Sequence, residues 1–526
     1  MKSVLTIATA GVLAVTLAAC AGSGGAQGGQ NFVDGKTFTM VLGTDPGNLD
    51  PHFSTLSVTM QVNRFLYDPL LHVDENGELV AGLAGQWEAS TTEATFTLRD
   101  GLSCADGRPL TATTVADNIN FVGDVENAAA VVGLYVPPGA KATADDAART
   151  VTVAAPSPDP FLARNIGSLP IVCERGLDNR DLLKQGGAGT GMFTVTEAVA
   201  GDHYTLDRRE DYAWGPGDWK PDQRGLPDKV VLRVVPNETT AANLLASGEV
   251  NAGSVIGPDR RRLEAQQLLR RDVVAVLGEL WFNQKPGMPA EQAQVRRALT
   301  QALDLSELAN VITGGMGEPP SGLVATGMGP CEDAAPSLPE HDAEAAAAAL
   351  DEAGWTPGPG GIRTKDGKRL SMTLYYPSKL GAPMQSAAEL VQRSWRAVGV
   401  EVELRGGPDT QVEQVVAAGQ GTWHAAFLPL NVTLPTQLVP FLSGATPPEG
   451  NNFSFIDNPD YTAAVERASQ ATGADGCDSW AEAEQAVVGD LDVVPFANTN
   501  RPLFAGGATF VLTEGSVAPS SIRMLG

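Results

Sequence analysis

Two hydrophobic rhythms alternate along this chain, and no other feature constrains its fold as strongly. The period-two pattern of a half-buried strand occurs at Thr37–Leu42 (TFTMVL), Ala94–Leu98, Phe193–Thr196, Val230–Val235, Ser371–Tyr376 and Val400–Leu404. Between them lie stretches at helical spacing, Thr113–Phe121, Thr239–Ser247, Ala293–Ile312, His341–Ala353 and Ser386–Val398, several with a polar start and a Gly end. Strands interleaved with helices imply an α/β architecture with mixed sheets. The 526 residues exceed what a single hydrophobic core organises, so two or three domains are expected. Clusters of Pro and Gly at Val136–Ala140, Trp214–Pro227, Glu318–Pro330 and Thr356–Gly361 read as surface connections.

The first thirty residues follow other rules. Lys2 precedes an apolar run from Val4 to Leu17, the charged-then-apolar layout of a secretory leader. A spanning helix needs roughly 20 apolar residues, and this run is shorter. Leu17-Ala18-Ala19-Cys20 resembles the lipobox of bacterial lipoproteins, so residues 1–19 read as a signal peptide and Cys20 as the lipidated new N-terminus. Residues 20–30 end in the Gly-rich coil AGSGGAQGGQ, a flexible tether with an r.m.s. reach of about 17 Å. The expectation is a soluble body held by acyl chains on the outer face of the cytoplasmic membrane.

Charge excludes one class of partner. The chain carries 62 Asp and Glu against 36 Lys and Arg, a net of −26, which repels nucleic-acid phosphates and anionic lipid. Once Cys20 is lipidated, Cys104, Cys173, Cys331 and Cys477 remain, an even number that allows two disulfides in three possible pairings. Pairing within each half of the chain gives Cys104 with Cys173 and Cys331 with Cys477. The histidines at 52, 72, 203, 341 and 424 lack metal-ligand spacing, so neither a metal nor another cofactor is expected. GxSxG, SxxK and HExxH are all absent, and Gly35-Lys36-Thr37 lacks the earlier glycine of a phosphate loop, so the chain does not read as an enzyme.

A set of phrases, taken in order, resembles family 5 of the extracellular solute-binding proteins, which serve the peptide, opine and nickel importers of the ABC class. They are GTDPGNLDP (43–51), YDPLLHVDENGELVAGLAGQWEAS (67–90), ATFTLRDGLSCADGRPLTATTVADNI (94–119), GTGMFTV (189–195), ASGEVN (246–251), LWFNQ…VRRALTQALD (280–304), LDEAGW (350–355) and AELVQRSWRAVGVEVEL (388–404). Physical roles can be given to several of them directly. The turns DENG and ADG place Gly where positive φ is needed, and GTG lets two backbones pass closely.

The resemblance implies a periplasmic-binding-protein fold of type II, cluster C: two α/β lobes joined by two crossings, with a subdomain inserted into the first lobe. Carried onto this chain, lobe I comprises residues 31–54, 187–276 and 494–526, the insert residues 55–186 and lobe II residues 277–493, with crossings near 280–284 and 494–498. It further implies a monomer that captures a peptide or peptide-like solute between its lobes and presents it to an ABC permease. The alternative is a non-transporting sensor or regulator of the same fold in the cell envelope.

In peptide binders of the family, an aspartate in a segment ending in Asp-Pro holds the α-ammonium. The matching stretch is Trp423–Leu442, where Leu434 precedes Pro435 and Asn431 falls on the ammonium position. A buried ammonium without a counter-charge costs several kcal/mol, which a neutral amide does not offset. The solute is therefore expected to be a modified peptide, a neutral or sugar-like ligand or a metal complex, unless another acid such as Asp45 or Glu413 serves. Lys379 stands where dipeptide binders keep an arginine for the terminal carboxylate. Thr44, Asp45, Trp281, Phe282, Asn283, Tyr375, Tyr376 and Trp423 complete the candidate set, since aromatic walls bury large area with few rotors.

Overall fold

The computed structural model describes residues 31–257, 259–324, 329–331, 337–378 and 381–526. The leader, Cys20 and the tether lie outside them, as does Lys379. The α/β reading holds. We label the ten ordered strands of the main sheet β1 (Thr37–Leu42), β2 (Phe193–Val199), β3 (His203–Arg208), β4 (Lys229–Val234), β5 (Ala252–Ser254), β6 (Leu269–Phe282), β7 (Ser371–Pro377), β8 (Glu401–Gly407), β9 (Ala425–Phe427) and β10 (Val493–Ala505). Their spatial order is β8-β7-β9-β6-β10-β5-β1-β4-β3-β2, with Gly317–Glu318 pairing alongside β10.

That order runs through two separate cores. Residues from Phe38 to Ala252, with the C-terminal stretch Leu503–Met524, form one buried cluster, and Val41, Leu245 and Phe504 belong to a second on the first-lobe side. Residues from Leu280 to Ala497 form two further clusters that share no member with the first pair. In the parallel pairs β1–β4 and β7–β8 alternate residues are buried, Phe38, Met40 and Leu42 on β1 and Met372, Leu374 and Tyr376 on β7.

Among the described residues, the strands that run from one pair of clusters to the other are β6 and β10. They pair antiparallel from Leu269↔Ala505 to Trp281↔Val493, with register shifts around Gly278. The far end of β10 pairs with β5 of the first lobe, whereas the far end of β6 pairs with β9 of the second. The crossings expected at 280–284 and 494–498 thus touch only the second-lobe end of a longer ribbon. A two-stranded ribbon keeps its backbone hydrogen bonds while it twists, which suits a hinge.

The inserted region has its own antiparallel sheet, ordered Ala84–Ala89, Glu93–Leu98, Thr150–Ala154, Lys141–Asp145. Gly77 in DENG adopts φ +84°, as its turn demands. A Cβ on Gly191 would lie 2.5 Å from the Leu66 carbonyl carbon, so the GTG loop has to pass the end of helix Ser57–Leu66 without side chains. Disulfides join Cys104 to Cys173 and Cys331 to Cys477, the pairing within halves. One element differs from expectation: Ala293–Ile312 is two helices, Ala293–Gln301 and Leu305–Ile312, because the Asp304 side chain accepts from Glu307 N and caps a new start.

Candidate functional site

The loop that follows β9 lies against the hinge ribbon, and the hydrogen bonds between them are specific. Leu430 N donates to Glu279 Oε2 at 2.7 Å, Trp281 Nε1 to the Leu428 carbonyl at 2.9 Å, and Asn431 Nδ2 to the Val276 carbonyl at 3.2 Å. Loop residues 428–431 are therefore anchored to β6 where it crosses between lobes. Thr433 N donates to Gln437 Oε1 at 2.9 Å and fixes the next turn.

Glu279 has no exposed surface, and its Oε1 accepts no hydrogen bond. Burial pushes its carboxyl up to about 8, against hydrogen bonds from Leu430 and Trp281, and the neighbouring Glu484 pushes the same way. On β10, Asn498 and Asn500 are also buried with Oδ1 unanswered, while their amide groups donate to Ser321 Oγ (3.2 Å) and Glu318 Oε1 respectively. The crossing ribbon thus carries two buried acceptor oxygens in need of donors, on Asn498 and Asn500, and a Glu279 carboxyl whose Oε1 has no partner. Sequence reasoning missed all three. One signal was present: Glu279 is the single charge in the apolar run Val273–Phe282.

The expected residues fall into distinct settings. Thr44 and Asp45 follow the carboxyl end of β1, where open α/β sheets take ligands. Thr44 is exposed, but Asp45 is committed: it accepts from Gly47 N (2.7 Å), Tyr204 Oη (3.1 Å) and Gly201 N. Burial raises its carboxyl, yet these hydrogen bonds hold it below the ordinary value. Tyr375 and Tyr376 end the parallel strand β7; Tyr375 is half-buried against the cluster of Trp281 and Phe453, and Tyr376 belongs to the opposite core.

Four candidates are interior. Trp281 and Trp423 are buried with Phe453, at ring distances of 4.9 and 6.1 Å, and Phe282 stacks on Trp395 at 6.2 Å. Asn283 donates to the Trp423 carbonyl at 2.9 Å and accepts from Lys285 N. The three rings pack within the second lobe, and Asn283 holds the Trp423 backbone next to them. Asn431 reaches the hinge carbonyl with its amide. Lys379 lies outside the described residues, and so does the Glu413 side chain.

Two cores, one hinge ribbon and a loop anchored on it define a two-lobed solute-binding protein of the type II periplasmic-binding-protein fold. The chain belongs to the bacterial extracellular solute-binding proteins of family 5, whose middle-region model matches residues 78–445. It is 30% identical over 393 residues to Protein XP55 of Streptomyces lividans, covering 73% of this chain and 68% of that one. It is 24% identical to the periplasmic murein peptide-binding protein MppA of Escherichia coli, across 81% and 80% of the two chains. Among solved structures, a substrate-binding protein of Microbacterium hydrocarbonoxydans in complex with 4-hydroxybenzoate hydrazide superposes with a TM-score of 0.70 at 26% identity, over 93% of this chain and 100% of that one.

Proposed function

We propose that this protein is the receptor of an ABC importer: it encloses a peptide or peptide-like solute between its lobes and presents the closed, loaded form to a membrane permease, with no bond chemistry of its own. The division into lobe I (31–54, 187–276, 494–526), an insert (55–186) and lobe II (277–493) belongs to this reading, as does the acylated Cys20 that holds the monomer on the membrane. The carrying observation is the pair β6 and β10, two paired strands that run from the first set of buried clusters into the second. A solute that touches both lobes favours the closed form and shifts the population toward it.

The ligand chemistry follows from the ribbon. Asn498 Oδ1 and Asn500 Oδ1 accept nothing from the protein, so a solute rich in N–H or O–H groups is favoured over one rich in acceptors. The test is mass spectrometry of small molecules released on denaturing protein purified from its native host, followed by thermal shift with free peptides, N-blocked peptides, sugars and metal chelates. Release of a peptide or amide-rich solute that restabilises the emptied protein supports the reading. Stabilisation by no solute, with nothing released, refutes it. Cys20→Ser should release the protein from the membrane fraction; retention there would refute the anchor.

A further inference from the structure

A cavity of 380 Å³ lies within the N-terminal half and the C-terminal segment, lined from residues 51–80, 135, 168–170, 192, 212–217 and 511–521, with no contribution from residues 277–493. It is therefore separate from the space between the lobes, and its volume falls within the range of small-molecule sites. Its walls are preformed. Gln61 on helix Ser57–Leu66 holds the segment at Val517 through both amide atoms, donating at 3.2 Å and accepting at 2.7 Å.

The polar lining is unfinished. Asn63 is 4% exposed, and its Oδ1 receives no hydrogen bond. His72 Nε2 likewise has none, because the nearest acceptor, Asp68 Oδ1, is 4.0 Å away. Asp68 is also 4% exposed, with Oδ2 accepting from Trp214 Nε1 at 2.9 Å. Burial raises its carboxyl to about 7, whereas burial with Arg64 and Arg99 nearby keeps the His72 ring neutral.

Charge selects the occupant. Arg64, the basic residue of the lining, is already engaged by the Thr513 carbonyl (2.6 Å) and Glu514 (3.2 Å), and Asp68, Asp74, Glu75 and Glu514 outnumber it. The wall also carries apolar and aromatic side chains, among them Met60, Met192, Tyr135 and Tyr212, beside several serines, and ring faces attract cations. We propose that this cavity binds a small organic cation, an ammonium on an apolar body, whose donors answer Asn63 Oδ1 beside the Asp68 carboxyl. The site does not depend on the nature of the solute held between the lobes.

Titration calorimetry of the purified protein with phenethylamine, 2-phenylethanol and phenylacetate tests the class, and hydrogen exchange locates the site. The expected result is saturable binding of phenethylamine at least about tenfold tighter than either analogue, a difference of about 1.4 kcal/mol. Protection should appear in peptides covering 59–76 and 511–521. Asp68→Asn should weaken binding by about the same factor, since it removes the counter-charge. Met60→Trp, which fills the cavity without touching Asp68, should abolish it, so the test survives a misfolded Asp68 variant. No saturable binding, equal binding of the three compounds, survival of binding in a folded Met60→Trp protein, or protection confined to 423–437 would each overturn the proposal.

Discussion

Phe161 and Trp480 stack at 6.4 Å between the inserted region and the second lobe, and next to them Gly473 N donates to the Pro160 carbonyl at 2.8 Å. Leu434 and Ala468 complete a small buried cluster around the two rings, with Cys331 packed against it. The lobes therefore meet at a second place besides the hinge ribbon. This contact joins residues 160–161 to the segments around Leu434, Ala468 and Trp480.

Phe161→Ala should weaken solute binding with little effect on either core. An aromatic pair contributes about 1 kcal/mol beyond its area, which corresponds to a roughly fivefold loss of affinity if the contact exists only in the closed form. Calorimetry with the solute recovered from the native host measures it, and small-angle scattering should show a larger open fraction. Unchanged affinity and unchanged scattering would mean that the contact persists when the lobes open.

Local chemistry was legible in the sequence, and long-range geometry was not. The α/β class, the turn glycine Gly77, the close-passing GTG loop and both disulfides follow from residue patterns that act over short distances or within one half of the chain. Reading Ala293–Ile312 as one helix overlooked Asp304, whose capping oxygen competes with helix continuation. The burial of Trp281 and Trp423 was not legible, because a tryptophan that lines a cleft and one that packs in a core have the same pattern. Glu279 gains its meaning only from a loop about 150 residues further along the chain, where Leu430 N meets it. Phe161 and Trp480 carry no local signal at all, since their contact exists only after both lobes have folded.

Glu279→Gln should make the protein more stable at neutral pH. The folded carboxyl holds its proton up to about 8, whereas the unfolded one loses it near 4.5, so folding stability falls as pH rises between those values. Gln keeps an oxygen for Leu430 N and removes the titration. The gain at pH 7 is on the order of 3 kcal/mol, from 1.36 kcal/mol per pH unit. Urea midpoints at pH 5, 6, 7 and 8 should decline for the parent and stay level for the variant; parallel declines would show that another group carries the slope.

Asn431→Asp separates scaffold from specificity at one position. Aspartate cannot donate to the Val276 carbonyl, so the empty protein should lose about 1 kcal/mol, the net worth of the hydrogen bond at this exposed residue. The same change puts an acid where the resemblance places the ammonium site. Peptides with a free N-terminus should then raise the melting temperature more in the variant than in the parent, while N-acetylated peptides should not. Equal shifts for both peptides in both proteins would remove Asn431 from the solute site.

The two disulfides should differ in what their loss does. In the chain-entropy view, the sequence separations of 69 and 146 residues correspond to about 4 and 5 kcal/mol of stabilisation. Both Cys104→Ser/Cys173→Ser and Cys331→Ser/Cys477→Ser should therefore lower the melting temperature. Only the second has a functional consequence: Cys477 opens the helix Cys477–Gly489 that carries Trp480, and Cys331 packs against the Phe161–Trp480 cluster. Losing it frees the second-lobe side of that contact, so solute affinity should fall about as far as in Phe161→Ala, and combining the two changes should add little. Losing Cys104–Cys173 should leave affinity unchanged. Affinity that follows melting temperature equally in both double variants would show that general loosening, rather than this contact, governs closure.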